Sequence, residues 1–310
     1  MSETRCGFVA LVGAPNAGKS TLLNSLIGAK VSIVSRKAQT TRATVRGILV
    51  DGAAQMIFVD TPGLFAPKRR LDRAMVAAAW GAAGDADAVA LLVDARQEIG
   101  AADKREAAEI GEATQTIMTT LREHKAPKFL VLNKVDLVDR PLLLALAERL
   151  NAGLPFADTF MTSALTGDGL DRLKTRLAAA MPKGPWLYPE DQIADAPLRA
   201  LAAEITREKL FERLHDELPY QTTVETESWK DQPDGSARIE QTIYVTRDSH
   251  KKIVIGEGGR TIKAIGSAAR KEIAEAHEAP VHLFLFVKVR ANWLDDPERY
   301  RAMGLEFPKT

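Results

Sequence analysis

The chain has 310 residues, with 42 Lys and Arg against 41 Asp and Glu, 45% apolar and 27% charged residues, and a single cysteine. This length buries a full core and accommodates more than one domain, while a lone Cys6 excludes a disulfide framework or cysteine-rich zinc site and points to a reducing compartment. The start, Met1 to Phe8, lacks the apolar stretch of a secretory signal, no run of roughly 18 apolar residues exists to span a membrane, and a net charge of +1 argues, as a whole-chain number, against a nucleic-acid partner.

Short apolar runs then alternate with helix-like stretches. The runs are Phe8–Val12, Met56–Val59, Val89–Val93 and Phe129–Leu132, with a weaker fifth at Phe160-Met161. Each has strand length and is apolar on both faces, as in a mostly parallel sheet covered by helices, so residues 1–180 are predicted as an α/β domain. Pro182, Pro185, Pro189 and Pro197 then interrupt helix formation, and residues 181–197 read as a linker. Residues 198–310 follow another order. Leu198, Leu201, Ile205, Leu210, Leu214 and Leu218 recur at near-helical spacing, and a strand over Thr222–Trp229 and a turn at Asp234-Gly235 precede alternating Ile239, Gln241, Ile243 and Val245. Two helical stretches flank Gly256–Gly259, and Val281 to Arg290 alternates as a last strand. A smaller α+β domain is predicted there.

Gly13-Ala14-Pro15-Asn16-Ala17-Gly18-Lys19-Ser20, followed by Thr21, fits G-x-x-x-x-G-K-[ST] between a strand and a helix. Backbone N–H groups of such a loop converge on phosphate oxygens, Lys19 bridges the β- and γ-phosphates, and Ser20 offers a hydroxyl to Mg²⁺. Asp60-Thr61-Pro62-Gly63 ends the second run, where Asp60 reaches Mg²⁺ through water and the Gly63 N–H senses the γ-phosphate. Asn133-Lys134-Val135-Asp136 ends the fourth. The Asp136 carboxylate accepts two guanine hydrogen bonds that adenine cannot donate, which selects GTP over ATP. Thr162-Ser163-Ala164 is placed to turn a backbone N–H toward the guanine oxygen. Leu64 follows Gly63 where many GTPases carry a water-orienting glutamine, so slow intrinsic hydrolysis is expected.

In this order the motifs resemble the TrmE–Era group of translation-factor-like GTPases, with its G-x-P-N-x-G-K-S loop and D-T-P-G motif. The resemblance places Ser35–Arg42 at the first switch, with Thr41, or Thr40 beside it, as the hydroxyl that closes on Mg²⁺. Lys19, Thr41, Asp60 and Gly63 then form the catalytic set. It also matches Asn16 to an asparagine that holds K⁺ in several members.

Val254 to Ile262 contains G-x-x-G at Gly256-Glu257-Gly258-Gly259, a four-residue pattern with little weight alone, as Gly81-Ala82-Ala83-Gly84 shows by matching too at a helix end. Its context is helix–strand–strand–helix–helix–strand, which resembles the bacterial-type (type II) KH domain, whose GxxG loop clamps single-stranded RNA. The RNA-contacting set is Lys251, Lys252, Ile255, the four loop residues, Arg260 and Lys263. Ile253, Ile255, Ile262 and Ile265 read as groove or core, core being at least as fitting for each, and Phe284 and Phe286 read as core rather than as base-stacking residues. Residues 241–290 carry nine Lys and Arg against five Asp and Glu, so near-neutrality averages a basic segment with an acidic remainder.

An Era-type GTPase domain followed by KH implies a GTP-dependent factor in maturation of the 30S subunit. Its RNA would be 16S rRNA near the 3′ end, and its location the cytoplasm with at most peripheral inner-membrane contact. A monomer is expected. The alternatives are a related GTPase serving tRNA modification or large-subunit assembly, and a nucleotide-stabilised RNA-binding adaptor.

Overall fold

The computed structural model describes residues 3–35, 37, 40–67, 69–102 and 110–308; Met1, Ser2, the Arg36, Ala38 and Gln39 positions of the first-switch stretch, and the last two residues of the tail lie outside the described residues. Two compact units emerge: Met1–Ser32, Thr41–Asp195 and Met303–Thr310 make the first, Ile33–Thr40 with Ala196–Ala302 the second.

The first unit contains β1 (Arg5–Gly13), α1 (Lys19–Ile27), β2 (Val45–Asp51), β3 (Ala54–Asp60), α2 (Arg70–Gly84), β4 (Ala88–Asp94), α3 (Ala95–Ala102), α4 (Glu112–Leu121), β5 (Lys128–Asn133), α5 (Arg140–Gly153), β6 (Asp158–Met161) and α6 (Leu170–Ala180). Its sheet runs β2-β3-β1-β4-β5-β6, parallel except for β2, which pairs antiparallel to β3. The double-sided apolar runs have a direct structural counterpart. In β1, Val9 and Leu11 join a core with Phe58, Leu92 and Val131, while Ala10 and Val12 join the opposite one with Leu91, Leu130 and Leu146. Strand β2 has no counterpart among the predicted runs. Arg46 and Gly47 interrupt its apolar pattern, and as an edge strand it is buried fully only at Gly47 and Ile48.

The proline-rich stretch is held on the first unit. Cys6 N–H donates to Pro182 O at 3.0 Å and Ile48 N–H to Ile193 O at 2.9 Å. Buried Gln55 of β3 donates to Tyr188 O at 2.8 Å, and its carboxamide oxygen accepts the N–H groups of Leu187 and Tyr188. Cys6 is buried and free, and burial pushes its thiol pKa up.

The second unit contains α7 (Leu198–Arg213), β7 (Thr222–Asp231), β8 (Ala237–Val245), α8 (Asp248–Ile255), α9 (Arg260–His277), β9 (Val281–Val289) and α10 (Pro297–Ala302). Its sheet runs β7-β8-β9, with β7 antiparallel and β9 parallel to β8. Leu210, Ile243, Val254 and Ile265 form one cluster, and Ile205, Ile239, Ile273 and Val281 another. Two core expectations are corrected here. Leu283, Leu285 and Val287 pack inward, which turns Phe284 and Phe286 outward, 41% and 49% exposed. Ile265 is core, but Ile253 is 54% exposed.

Val34, Lys37 and Thr40 are bonded within this second unit. The Val34 N–H donates to Glu208 Oε1 at 2.7 Å, and Lys37 Nζ donates to the Phe211 carbonyl at 2.5 Å and to that of Leu214. Lys37 thereby satisfies carbonyls at the end of α7, where a cation is favoured. Arg207 donates to the Thr40 carbonyl at 2.5 Å.

Lys209 lies between Glu208 Oε2 at 2.9 Å and Glu272 Oε2 at 2.6 Å, and Glu208 is 2% exposed. Burial alone lowers the Lys209 pKa; the hydrogen bonds to Glu272 and Glu208 outweigh it and hold it above the ordinary lysine range. A raised lysine pKa stabilises the fold throughout neutral pH and loses that effect only above about pH 10. Lys209→Met removes the cation that Glu208 and Glu272 share. It is expected to destabilise the second unit by about 3 kcal/mol, measured by urea unfolding of the full chain with the first unit's transition as internal reference.

Candidate nucleotide site and nucleic-acid interface

The parallel strands all end at one edge, and the chemistry collects there. Gly13 closes β1, and the loop to α1 turns through Asn16, whose φ of 63° is left-handed. The first turn of α1 carries neither an acidic residue nor a side-chain cap, which leaves a helix N-terminus suited to an anion. Lys19 is buried, and its Nζ donates to the Gly13 and Ala14 carbonyls at 3.0 and 3.1 Å. Burial lowers its pKa to about 8, against the opposing pull of Asp60. Thr21, next in the helix, is half-buried.

Asp60, at the end of β3, is fully buried. Its Oδ2 accepts Ser20 Oγ at 2.6 Å and Ser32 Oγ at 2.8 Å, while Oδ1 has no hydrogen-bond partner. Burial raises the Asp60 pKa, and the Ser20 hydroxyl, the Lys19 charge and the hydroxyls of Ser32 and Thr41 pull it back down. Ser20 Oγ also lies 3.0 Å from Thr41 Oγ1, whereas Thr40 Oγ1 donates to Lys37 O. Of the two threonines, the structure brings Thr41 to the site. Buried Thr61 donates to Leu11 O at 2.7 Å, and Pro62 is buried beside it. A Cβ on Gly63 would meet Pro15 Cα at 2.8 Å, so only glycine lets this loop approach the phosphate loop so closely. Leu64 is buried in the core with Ala10, Val12 and Ala79, with its N–H on Gly13 O.

At the other end, Asn133 Nδ2 donates to Ala17 O at 2.9 Å, and its Oδ1 accepts the Ala164 N–H at 2.9 Å. Lys134 has a left-handed φ of 65°, and its Nζ reaches Asn16 O at 2.8 Å and Asp94 Oδ2 at 2.5 Å. Asp136 is exposed. One expectation changes. The N–H groups of Thr162, Ser163 and Ala164 are already taken by Leu132 O, Asp168 O and Asn133 Oδ1, so none of the three is open to a guanine oxygen without displacing a protein acceptor. Ser32 and Asp94 are absent from the predicted set. Asp94 ends an apolar strand just as Asp60 does, a signal present in the sequence; Ser32 carries no such mark.

In the second unit α8 ends at Gly256, φ +72°, where a Cβ would lie 2.2 Å from Thr261 Oγ1, so this glycine serves packing. Gly258, φ +60°, has nothing within 4 Å of its Cβ position and presents open backbone. Gly259 caps α9. The Glu257 carboxylate pairs with the Arg260 guanidinium, which offsets the negative charge in the loop. Lys252 and Lys263 are exposed, Lys251 and Ile255 half-buried.

A phosphate loop, a buried strand-end aspartate and Asn-Lys-x-Asp on a mostly parallel sheet define a P-loop GTPase, here joined to a KH unit. A family model described as a 50S ribosome-binding GTPase matches residues 8–134, and a KH-domain model matches residues 217–294. The GTPase Era of Afipia carboxidovorans is 66% identical over 99% of this chain and 96% of its own length, and that of Brucella suis 60% over 99% and 95%. An Era structure in complex with MgGDPNP and nucleotides 1506–1542 of 16S ribosomal RNA superposes with a TM-score of 0.88 at 36% identity, covering 97% of this chain and 99% of the other. An Aquifex aeolicus Era variant bound to GDP·AlF4⁻ matches equally well, with the same TM-score and coverage. The chain belongs to the Era family of GTPases, and its reaction is the hydrolysis of GTP.

The lowered Lys19 pKa sets a pH signature. Burial draws the Lys19 pKa down to about 8 and nucleotide phosphates beside it favour the charged form, so nucleotide binding near pH 8 is expected to take up protons. Affinity therefore falls as pH rises above about 8. Calorimetry in buffers of different ionisation enthalpy measures the uptake, and Lys19→Arg, which stays charged, abolishes it.

Proposed function

We propose that this chain is a GTP-hydrolysing switch that binds single-stranded 16S rRNA near its 3′ end through the KH unit and assists maturation of the 30S subunit. The observation that carries it is the open backbone at Gly258, beside exposed Lys252, Arg260 and Lys263, in a KH unit matching the RNA-bound Era structure. The GTPase family description names the 50S subunit, but the KH unit and the 16S fragment in that Era structure favour the small subunit.

Within the GTPase unit, the phosphate loop from Gly13 to Thr21 holds the phosphates, Asp136 reads guanine, and Gly63 senses the γ-phosphate. The residues fit Mg²⁺. A hard cation that keeps part of its water suits two neighbouring hydroxyls, Ser20 and Thr41, with the unpartnered Asp60 Oδ1 behind them as a water acceptor. When bound, the ion neutralises phosphate charge; Lys19 adds a fixed positive charge there. Among the described residues no helix is long and apolar enough to cross a membrane. The proposed location is the cytoplasm, as a monomer, with any membrane contact peripheral.

Gly258→Asp adds charge and bulk where there is open space, at a φ of +60° that Asp tolerates for roughly 1–2 kcal/mol, and binding of a 16S 3′-end oligonucleotide is expected to fall at least about tenfold, read by fluorescence anisotropy with circular dichroism as the check on folding. GTP hydrolysis should stay unchanged. Retained RNA binding would move the clamp elsewhere. Buried Leu64 offers no water-orienting group, and Asn16 stands at the loop tip as the residue to hold K⁺. Turnover is expected to be faster in K⁺ than in Na⁺, with Asn16→Ala removing the difference; equal rates in both salts would refute the K⁺ role.

A further inference from the structure

Asp60 is oriented by more than the GTPase motifs. Helix α1 carries Asn24 four residues beyond Ser20, on the same helical face. The Asn24 Oδ1 accepts the N–H groups of Val31 and Ser32, both at 2.9 Å, and its Nδ2 donates to Ser32 O at 2.7 Å. Three hydrogen bonds thus clamp the Val31-Ser32 peptide onto the helix. Ser32 is 2% exposed, and its hydroxyl donates to Asp60 Oδ2 at 2.8 Å. Ser20 donates to that same oxygen, so both hydroxyls lie on one side of the carboxylate and Oδ1 is left buried and without a hydrogen-bond partner.

We infer that Asn24 and Ser32 are positioning residues that fix the rotation of the Asp60 carboxylate, so that Oδ1 meets the hydration shell of the magnesium ion. This rests on the proposal that Ser20, Thr41 and Asp60 serve Mg²⁺. Neither Asn24 nor Ser32 belongs to a nucleotide-binding motif, and the side-chain bonds of both are to the protein. Ser20 can donate to Asp60 while a lone pair of the same oxygen meets the metal, so its own position changes with the ion. A second donor anchored independently of the metal keeps the carboxylate in place whether or not the ion is bound. Outer partners of this kind change metal affinity by roughly 10–100-fold when removed.

The test is release of mant-labelled GDP from the full chain, followed across Mg²⁺ concentrations from EDTA to millimolar, for the unaltered protein, Ser32→Ala and Ser32→Thr. Ser32→Ala is expected to raise the half-saturating Mg²⁺ concentration about tenfold while leaving release in EDTA unchanged. Ser32→Thr, which keeps the hydroxyl, should restore most of the difference. A purely structural Ser32 would change release equally with and without Mg²⁺, and that result, or an unchanged half-saturation, overturns the positioning role alone. If the unaltered protein shows no slowing by Mg²⁺, the metal reading of the site falls and this inference with it.

Discussion

A carboxylate buried in the protein interior with one oxygen unmatched is the constraint around which the GTPase unit is arranged. Asp60 has lost its water, and the ordinary response of such a group is to take up a proton. Three hydroxyls and the buried Lys19 oppose that. Lys19 is itself desolvated and pushed toward neutrality, so each charge partly sustains the other. The lysine is bonded to the Gly13 and Ala14 carbonyls, and Asp60 Oδ1 has no hydrogen-bond partner within the protein.

The sheet makes this convergence unavoidable. Parallel pairing sets Leu11 opposite Asp60, Gly13 opposite Leu92 and Asp94 opposite Asn133, so the loops that leave the strands emerge side by side. Asn133 ties two of them together through Ala17 and Ala164, and Lys134 ties Asn16 to Asp94. The base-reading and phosphate-holding ends are therefore one hydrogen-bonded body. The commitment of the Ala164 N–H to Asn133 belongs to the same economy, since a buried donor is paired within the protein.

The KH unit solves a different problem. Helices α7, α8 and α9 pack on the face of the three-stranded sheet that carries Ile239, Ile243 and Val281, and Arg299 of α10 lies over Tyr244 on the other. Two glycines of the same tetrad have separate roles: Gly256 permits close packing against Thr261, and Gly258 leaves the approach clear. The Glu257–Arg260 pair keeps the loop from repelling phosphate, which answers the apparent mismatch of an acidic residue in an RNA clamp.

Much of this was legible in the sequence because it depends on local chemistry. Apolar runs of four or five residues, polar on neither face and ended by turn residues, read as interior strands, and a glycine-rich loop before Lys19-Ser20 reads as a phosphate loop. What was not legible depends on partners distant along the chain. Strand β2 hid behind Arg46 and Gly47 because an edge needs only one buried face. Phe284 and Phe286 alternate as cleanly as core residues, and only the helices packed on Leu283, Leu285 and Val287 decide which face is inside. Asn24 and Ser32 carry no motif, since their meaning arises when α1 and β3 meet at Asp60. The amino-acid sequence by itself determined the two domain types and the reaction, because phosphate and guanine recognition require particular residue types at short, fixed spacing. Tertiary structure alone decided which oxygen of Asp60 is left without a hydrogen-bond partner and that Phe284 and Phe286 face outward, because orientation and burial come from contacts that no local pattern encodes.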